Sequence, residues 1–177
     1  MRIQSLKHLV DVVCAVARPT RIIVFGSGSL LAVRPELGET GGPLELTADA
    51  DFLLEPSNPA IAESLQLAAG QDSAFMAEFG YHADILRPMI KETLPAGWEA
   101  RLVSVAGYGH VFALNPYDLA LVKLVVGREK DLNLLRSMLQ LKIVEAGQLR
   151  RHYQENPMSE REAFIAGRNL QAVLTAS

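Results

Sequence analysis

The sequence predicts an α/β (α+β) protein with a mixed sheet flanked by helices, followed by a C-terminal helical subdomain. Apolar residues make up 49% of the 177 residues, which is enough to bury a core. Short apolar runs typical of buried strands alternate with helical periodicity as far as Leu114, and from Asn115 onward only helical periodicity remains. We therefore expect an α/β core over residues 1–114 and a helical subdomain over residues 115–177, packed on that core.

The first elements follow from periodicity and from stop signals. Apolar residues at helical spacing predict a helix over residues 3–17, which ends before Pro19 because proline disfavours helix at the preceding residue. The apolar run at 21–25 predicts a short buried strand. A short helix is expected next, capped by Ser27 or Ser29.

The middle of the chain alternates loop, strand and helix signals. Residues 34–43 are rich in glycine and proline and predict a surface loop, and residues 44–54 predict a strand that carries paired aspartates in its second half. Asn58 and Pro59 are typical of a helix start. Further elements are expected as a helix at 72–79, a strand at 81–86, and a hairpin of 98–105 with 110–114. The remaining helices are expected at 116–126, 128–142, 145–154 and 159–173.

Composition excludes several classes of protein. The single cysteine, Cys14, cannot form an internal disulfide and favours a reducing compartment, where a buried thiol is expected. The net charge of −3 gives no general attraction for nucleic acid, and the four histidines lack zinc-site spacing. No apolar run approaches about 18 residues, and the start lacks a signal-peptide pattern. We expect a cytoplasmic protein with no membrane partner.

Two motifs in the first half indicate a site for a metal-bound nucleotide. Gly26-Ser27 follows a strand at an expected helix start, where N–H groups and a hydroxyl can hold phosphate. Asp49 and Asp51 alternate on a strand and share one face, about 7 Å apart, which suits Mg²⁺. Alone, these motifs are also consistent with a tight turn and a solvated strand edge. The apolar run 52–54 favours a central strand, where paired acids need a cation or hydrogen bonds.

A second group of polar residues begins the helical part. Asn115 is expected to cap a largely apolar helix that contains Lys123. Two interpretations of Lys123 are open: its ammonium group reaches outward to solvent, or it faces the phosphates beside the paired aspartates. Asp131 begins the next helix, where it is a dipole partner, a salt-bridge acid or a functional group.

As an ordered set, these motifs resemble the nucleotidyltransferase-fold superfamily, in particular the small bacterial nucleotidyltransferase-like proteins related to AbiEii and MenT toxins. The resemblance covers residues 5–145. The segments that carry it are Gly26-Ser27, Asp49-Ala50-Asp51, Leu119–Leu124 and Arg128–Asp131.

The resemblance implies roles for these residues. Gly26 and Ser27 would hold the nucleotide phosphates, and Asp49 and Asp51 would bind Mg²⁺. In the helical part, Lys123 would neutralise phosphate charge and Asp131 would be an additional active-site acid.

The resemblance also implies an activity, the transfer of a nucleoside monophosphate from an NTP to RNA (including tRNA) or to protein. The setting it implies is a bacterial toxin–antitoxin pair, with a cognate antitoxin as partner. The alternatives are a non-catalytic nucleotide-binding or regulatory module that kept the fold, and an antitoxin-like or structural partner that binds no nucleotide.

The sequence departs from the superfamily pattern in two respects. Residues 28–48, between the two motifs, form a longer span than usual, so the 34–43 loop either bulges outward or lies over the site. A third carboxylate is not obvious, and the candidates are Glu99 and Asp84.

The last helices carry basic residues that either contact RNA or form a solvated surface with interleaved acids, namely Arg136, Lys142, Arg150, Arg151 and His152.

Overall fold

A computed structural model describes residues 1–18 and 21–175 of the chain. The helices are α1 (Ile3–Val16), α2 (Gly26–Val33), α3 (Pro59–Ala69), α4 (Ala74–Phe79), α5 (Pro116–Val126), α6 (Glu129–Gln140), α7 (Ala146–Glu155) and α8 (Glu160–Thr175). The strands are β1 (Arg21–Phe25), β2 (Asp49–Glu55), β3 (His82–Ile85), β4 (Val103–Ser104) and β5 (Val111–Ala113). Short 3₁₀ segments lie at Pro35–Gly38, Pro88–Thr93 and Trp98–Arg101. The predicted helix stop at Pro19 lies outside the described residues.

The sheet confirms the predicted α/β (α+β) class. Its strand order is β3-β2-β1-β5-β4. Strand β1 pairs antiparallel with β2 and parallel with β5, β2 pairs parallel with β3, and β4 pairs antiparallel with β5, so the sheet is mixed. Because β2 lies between β1 and β3, the strand with the paired aspartates is central, as its apolar run indicates.

Two predicted strands begin several residues later in the structure. Strand β2 begins at Asp49 rather than at residue 44. Residues 39–47 instead form a series of turns, in one of which the Leu44 N–H donates to the Leu37 carbonyl. The paired aspartates therefore begin the strand and do not lie in its second half. Residues 98–101, predicted as part of a strand, form a 3₁₀ turn instead. The Trp98 N–H donates to the Pro95 carbonyl at the start of this turn.

The described chain divides into two compact units. The first unit comprises Met1–Lys91 and Leu102–Leu114, and the second comprises Glu92–Arg101 and the chain from Asn115 onward. The predicted domains, residues 1–114 and 115–177, and the packing of one on the other stay predictions. Among the described helices, none is both long and apolar enough to cross a membrane.

Each unit has its own apolar core. In the first unit, the central strands contribute Ile22, Ile23 and Phe52, all fully buried. In the second unit, α5 packs against α6, α7 and α8, and Leu124 in its last turn is fully buried. Helix α5 begins as its sequence predicts, since the Asn115 side chain accepts a hydrogen bond from the Tyr117 N–H.

Candidate metal and phosphate site

Parallel pairing of β2 with β3 brings three carboxylates together in the first unit. Asp51 is the register partner of Asp84, and Asp49 lies two residues before Asp51 on the same face. One oxygen from each of the three carboxylates lies within 4.8 Å of the others. Asp84 thus completes an acidic triad (Asp49, Asp51 and Asp84), whereas Glu99, the other candidate, is an exposed residue of the Trp98–Arg101 turn in the second unit.

Gly26 lies directly against the triad. It follows Phe25, which pairs with Asp51 across β1 and β2. Its φ is +56°, a left-handed conformation that favours glycine. A β-carbon at this position would lie closer to Oδ2 of Asp51 than the 3.0 Å that real β-carbons respect. The absent side chain at Gly26 is therefore what leaves room for the Asp51 carboxylate beside the start of α2.

The start of α2 differs from the expected serine cap. The N-cap residue is Phe25, with no side-chain cap hydrogen bond. Ser29 does not cap, because its hydroxyl donates to the carbonyl oxygen of Gly26 at 2.8 Å, a local bond available to serine within a helix. Ser27 is a half-buried residue of the first turn. With no side-chain acceptor at the N-cap, this helix start presents N–H groups of the kind that bind anions.

His82 is a fourth polar residue on the same face of the sheet. It is the register partner of Asp49 and lies two residues before Asp84. Its side chain is 10% exposed, and its Nε2 lies 3.6 Å from Oδ2 of Asp84. Sequence reasoning missed this residue, although its alternation with Asp84 on the same predicted strand was the signal that would have found it.

Lys123 and Asp131 form a buried ion pair in the second unit. Lys123 Nζ donates to Oδ1 of Asp131 at 2.7 Å, and Arg128 Nε donates to Oδ2 at 2.7 Å. Burial by itself would raise the pKa of Asp131, but the hydrogen bonds from Arg128 and Lys123 hold that pKa below its ordinary value. The Lys123 side chain is 13% exposed, so its ammonium group does not extend freely into solvent.

A second buried acid, Asp118, was not predicted as a functional residue. Its side chain is fully buried and accepts hydrogen bonds from the Arg101 guanidinium, at 2.7 Å from Nη2, and from Nε2 of His152 at 2.8 Å. These contacts join the Trp98–Arg101 turn, α5 and α7 within the second unit. An acid in the first turn of an apolar helix was the available sequence signal.

The predicted site residues thus fall into two clusters, one in each unit. Gly26 lies against the acidic triad in the first unit, at the start of the helix turn that contains Ser27. The other two predicted residues, Lys123 and Asp131, contact each other in the second unit.

Comparison with known proteins identifies a family for this chain. A family model described as "nucleotidyltransferase of unknown function (DUF6036)" matches residues 2–166. No curated protein and no solved structure matched the chain. The family match spans both units and includes the acidic triad, Gly26, His82, Asp118, Lys123 and Asp131. The chain therefore belongs to the DUF6036 family of nucleotidyltransferases of unknown function.

Proposed function

We propose that this chain is a Mg²⁺-dependent nucleotidyltransferase that moves a nucleoside monophosphate from an NTP to an acceptor. The observation that carries the proposal is the convergence of Asp49, Asp51 and Asp84, whose carboxylate oxygens lie within 4.8 Å of one another. Membership of a nucleotidyltransferase family supports it.

The donor set of the acidic triad fits Mg²⁺. Carboxylate oxygens are the ligands that this hard cation prefers, and it commonly completes its shell with water and substrate phosphates. Three like charges at this spacing also favour a cation between them. When bound, Mg²⁺ supplies positive charge that orients the NTP phosphates and stabilises the leaving pyrophosphate.

The protein's own groups would act on the phosphates as well. The N–H groups of Gly26 and Ser27 at the start of α2 are proposed to bind phosphate oxygens, since a helix N-terminus favours anions. Lys123 is proposed to neutralise phosphate charge, while Asp131 holds its ammonium group in one orientation. In the transfer step, an acceptor oxygen forms a bond to the α-phosphorus as the bond to pyrophosphate breaks, and the acceptor loses a proton.

We propose RNA, including tRNA, as the acceptor, and protein as the competing acceptor. Arg150 and Arg151 are exposed on α7, and cations on a helix face are typical of phosphate contacts. The resemblance to AbiEii and MenT toxins supports the same acceptor and a role as a bacterial toxin held by a cognate antitoxin. Exposed Glu145 and Glu155 flank these arginines, which favours a limited contact over a broad basic surface.

A labelled-transfer assay tests the proposed activity. The full chain is incubated with Mg²⁺, each α-labelled NTP in turn, and either total RNA or total protein as acceptor. We expect Mg²⁺-dependent label in RNA from the wild-type chain and a loss of at least about a hundredfold in Asp51→Asn, which removes a metal-binding charge. Asp72→Asn is the matched control, because Asp72 is an exposed acid outside the triad.

Each outcome of this assay has a defined meaning. Label in protein and not in RNA would overturn the RNA acceptor and leave the nucleotidyltransferase activity standing. NTP binding without transfer to either acceptor would contradict the enzyme and favour the non-catalytic nucleotide-binding module. Equal transfer by wild type and Asp51→Asn would contradict the proposed metal site.

A further inference from the structure

His82 is the buried polar side chain beside the triad that the proposed function leaves without a role. It lies on β3, where the residue is 8% exposed and the next residue, Ala83, is fully buried. Burying an imidazole is costly unless its nitrogens are satisfied. The imidazole therefore needs a partner, and Oδ2 of Asp84 lies 3.6 Å from its Nε2.

The two ring nitrogens of His82 have different surroundings. Within the described residues, its Nδ1 is buried and has no hydrogen-bond partner. A proton on Nδ1 would leave a buried donor unsatisfied, whereas a proton on Nε2 points toward Oδ2 of Asp84, 3.6 Å away. This asymmetry favours the tautomer that carries its proton on Nε2.

We propose that His82 is a positioning residue that directs its Nε2–H to Oδ2 of Asp84 and so fixes how that carboxylate faces the metal. The inference rests on the proposed function, since it assigns a supporting partner to one of the proposed metal ligands. At 3.6 Å the contact is longer than a formed hydrogen bond, and a small rotation of either side chain closes it. Carboxylates that bind metals commonly have such outer partners, which set their orientation.

Amide substitutions separate the two nitrogens of the imidazole. His82→Gln places an N–H donor near the position of Nε2, His82→Asn places one near Nδ1, and His82→Leu removes both donors. The probe is Mn²⁺ alone, titrated into the full chain and followed by electron paramagnetic resonance, with thermal unfolding as the folding check. We expect affinity to fall about tenfold in His82→Leu and His82→Asn, and to stay within about threefold of wild type in His82→Gln.

The outcomes separate this inference from the function on which it rests. Equal losses in His82→Gln and His82→Leu, with folding retained, would overturn the role of the Nε2 donor. Nitrogen hyperfine coupling from an imidazole bound directly to Mn²⁺ would also overturn it, since His82 would then be a ligand. If wild type binds no Mn²⁺ at all, the proposed metal site itself fails. Unchanged affinity in all three variants, with wild type binding, contradicts the positioning role alone.

Discussion

At the scale of single residues, the site depends on a contact that only glycine allows. Gly26 has a φ of +56°, and a β-carbon there would collide with Oδ2 of Asp51. Two separate costs follow for any larger residue, the left-handed backbone conformation and the displacement of the carboxylate. The second cost concerns the proposed metal site directly.

Gly26→Ala is therefore expected to weaken Mn²⁺ binding by about tenfold, because a displaced Asp51 leaves a metal without one of its ligands. Gly80→Ala is the matched control. Gly80 has a φ of +77°, and a β-carbon there has nothing within 4 Å, so its substitution carries the backbone cost without a collision. Titration of both variants checks the prediction. Equal weakening in both, or none in Gly26→Ala, would show that the contact with Asp51 does not set metal affinity.

The sequence predicts individual residues of the site well where local spacing is enough. Asp49 and Asp51 share a face because strand side chains alternate, and the structure places them together. Asp84 remained one of two candidates, since its approach to Asp51 depends on parallel pairing between β2 and β3 that no local pattern encodes. The alternation of His82 with Asp84 is visible in the sequence, but the position of His82 beside Asp49 comes from register and not from spacing.

At the scale of elements, the junction of α5 and α6 is held by a buried charge. Asp131 lies in the first turn of α6 and accepts hydrogen bonds from Lys123 on α5 and from Arg128. Burial opposes its ionisation, and the two cations more than offset that effect, so its pKa is below the ordinary 3.8. A lowered folded-state pKa stabilises the fold fully above the unfolded value, and this stabilisation is lost as pH falls through the folded value.

We predict that Asp131→Asn lowers the free energy of unfolding less at low pH than at about pH 6. Urea unfolding of wild type and Asp131→Asn compares the free energy of unfolding at about pH 6 and about pH 3. We expect a large difference between the two proteins at the higher pH and a smaller one at the lower pH, because about pH 3 lies below the ordinary pKa of 3.8, where the unfolded chain already binds the proton. Exposed Asp72→Asn serves as the control and should show little difference at either pH. A difference that does not change with pH would contradict the assigned cause.

Element boundaries were predictable where capping and apolar periodicity agree. Helix α5 starts after Asn115, and α3 starts after Asn58, whose side chain accepts hydrogen bonds from two N–H groups. The start of β2 was wrong because the N–H groups of Leu44, Glu45 and Thr47 bond to carbonyls in turns before the strand begins. The cap of α2 was wrong because Ser29 bonds back to Gly26. In both cases local hydrogen bonds decided the outcome.

At the scale of the whole molecule, the fold class follows from the order of strand and helix signals. The mixed sheet places β2 between β1 and β3, so the acids of β2 meet both the turn after β1 and the acid of β3. That arrangement explains why a motif spread from Gly26 to Asp84 forms one cluster. Sequence spacing could not show it, since strand order is set by non-local pairing.

The most direct test of the central claim is Mn²⁺ affinity in the two variants that remove the candidate third carboxylates. Asp84→Asn removes an acid of the triad, and Glu99→Gln removes the exposed acid of the Trp98–Arg101 turn. The account predicts that Asp84→Asn weakens Mn²⁺ binding by at least about tenfold and that Glu99→Gln binds as wild type does. Unchanged binding in Asp84→Asn, or an equal loss in Glu99→Gln, would contradict a metal site built from Asp49, Asp51 and Asp84.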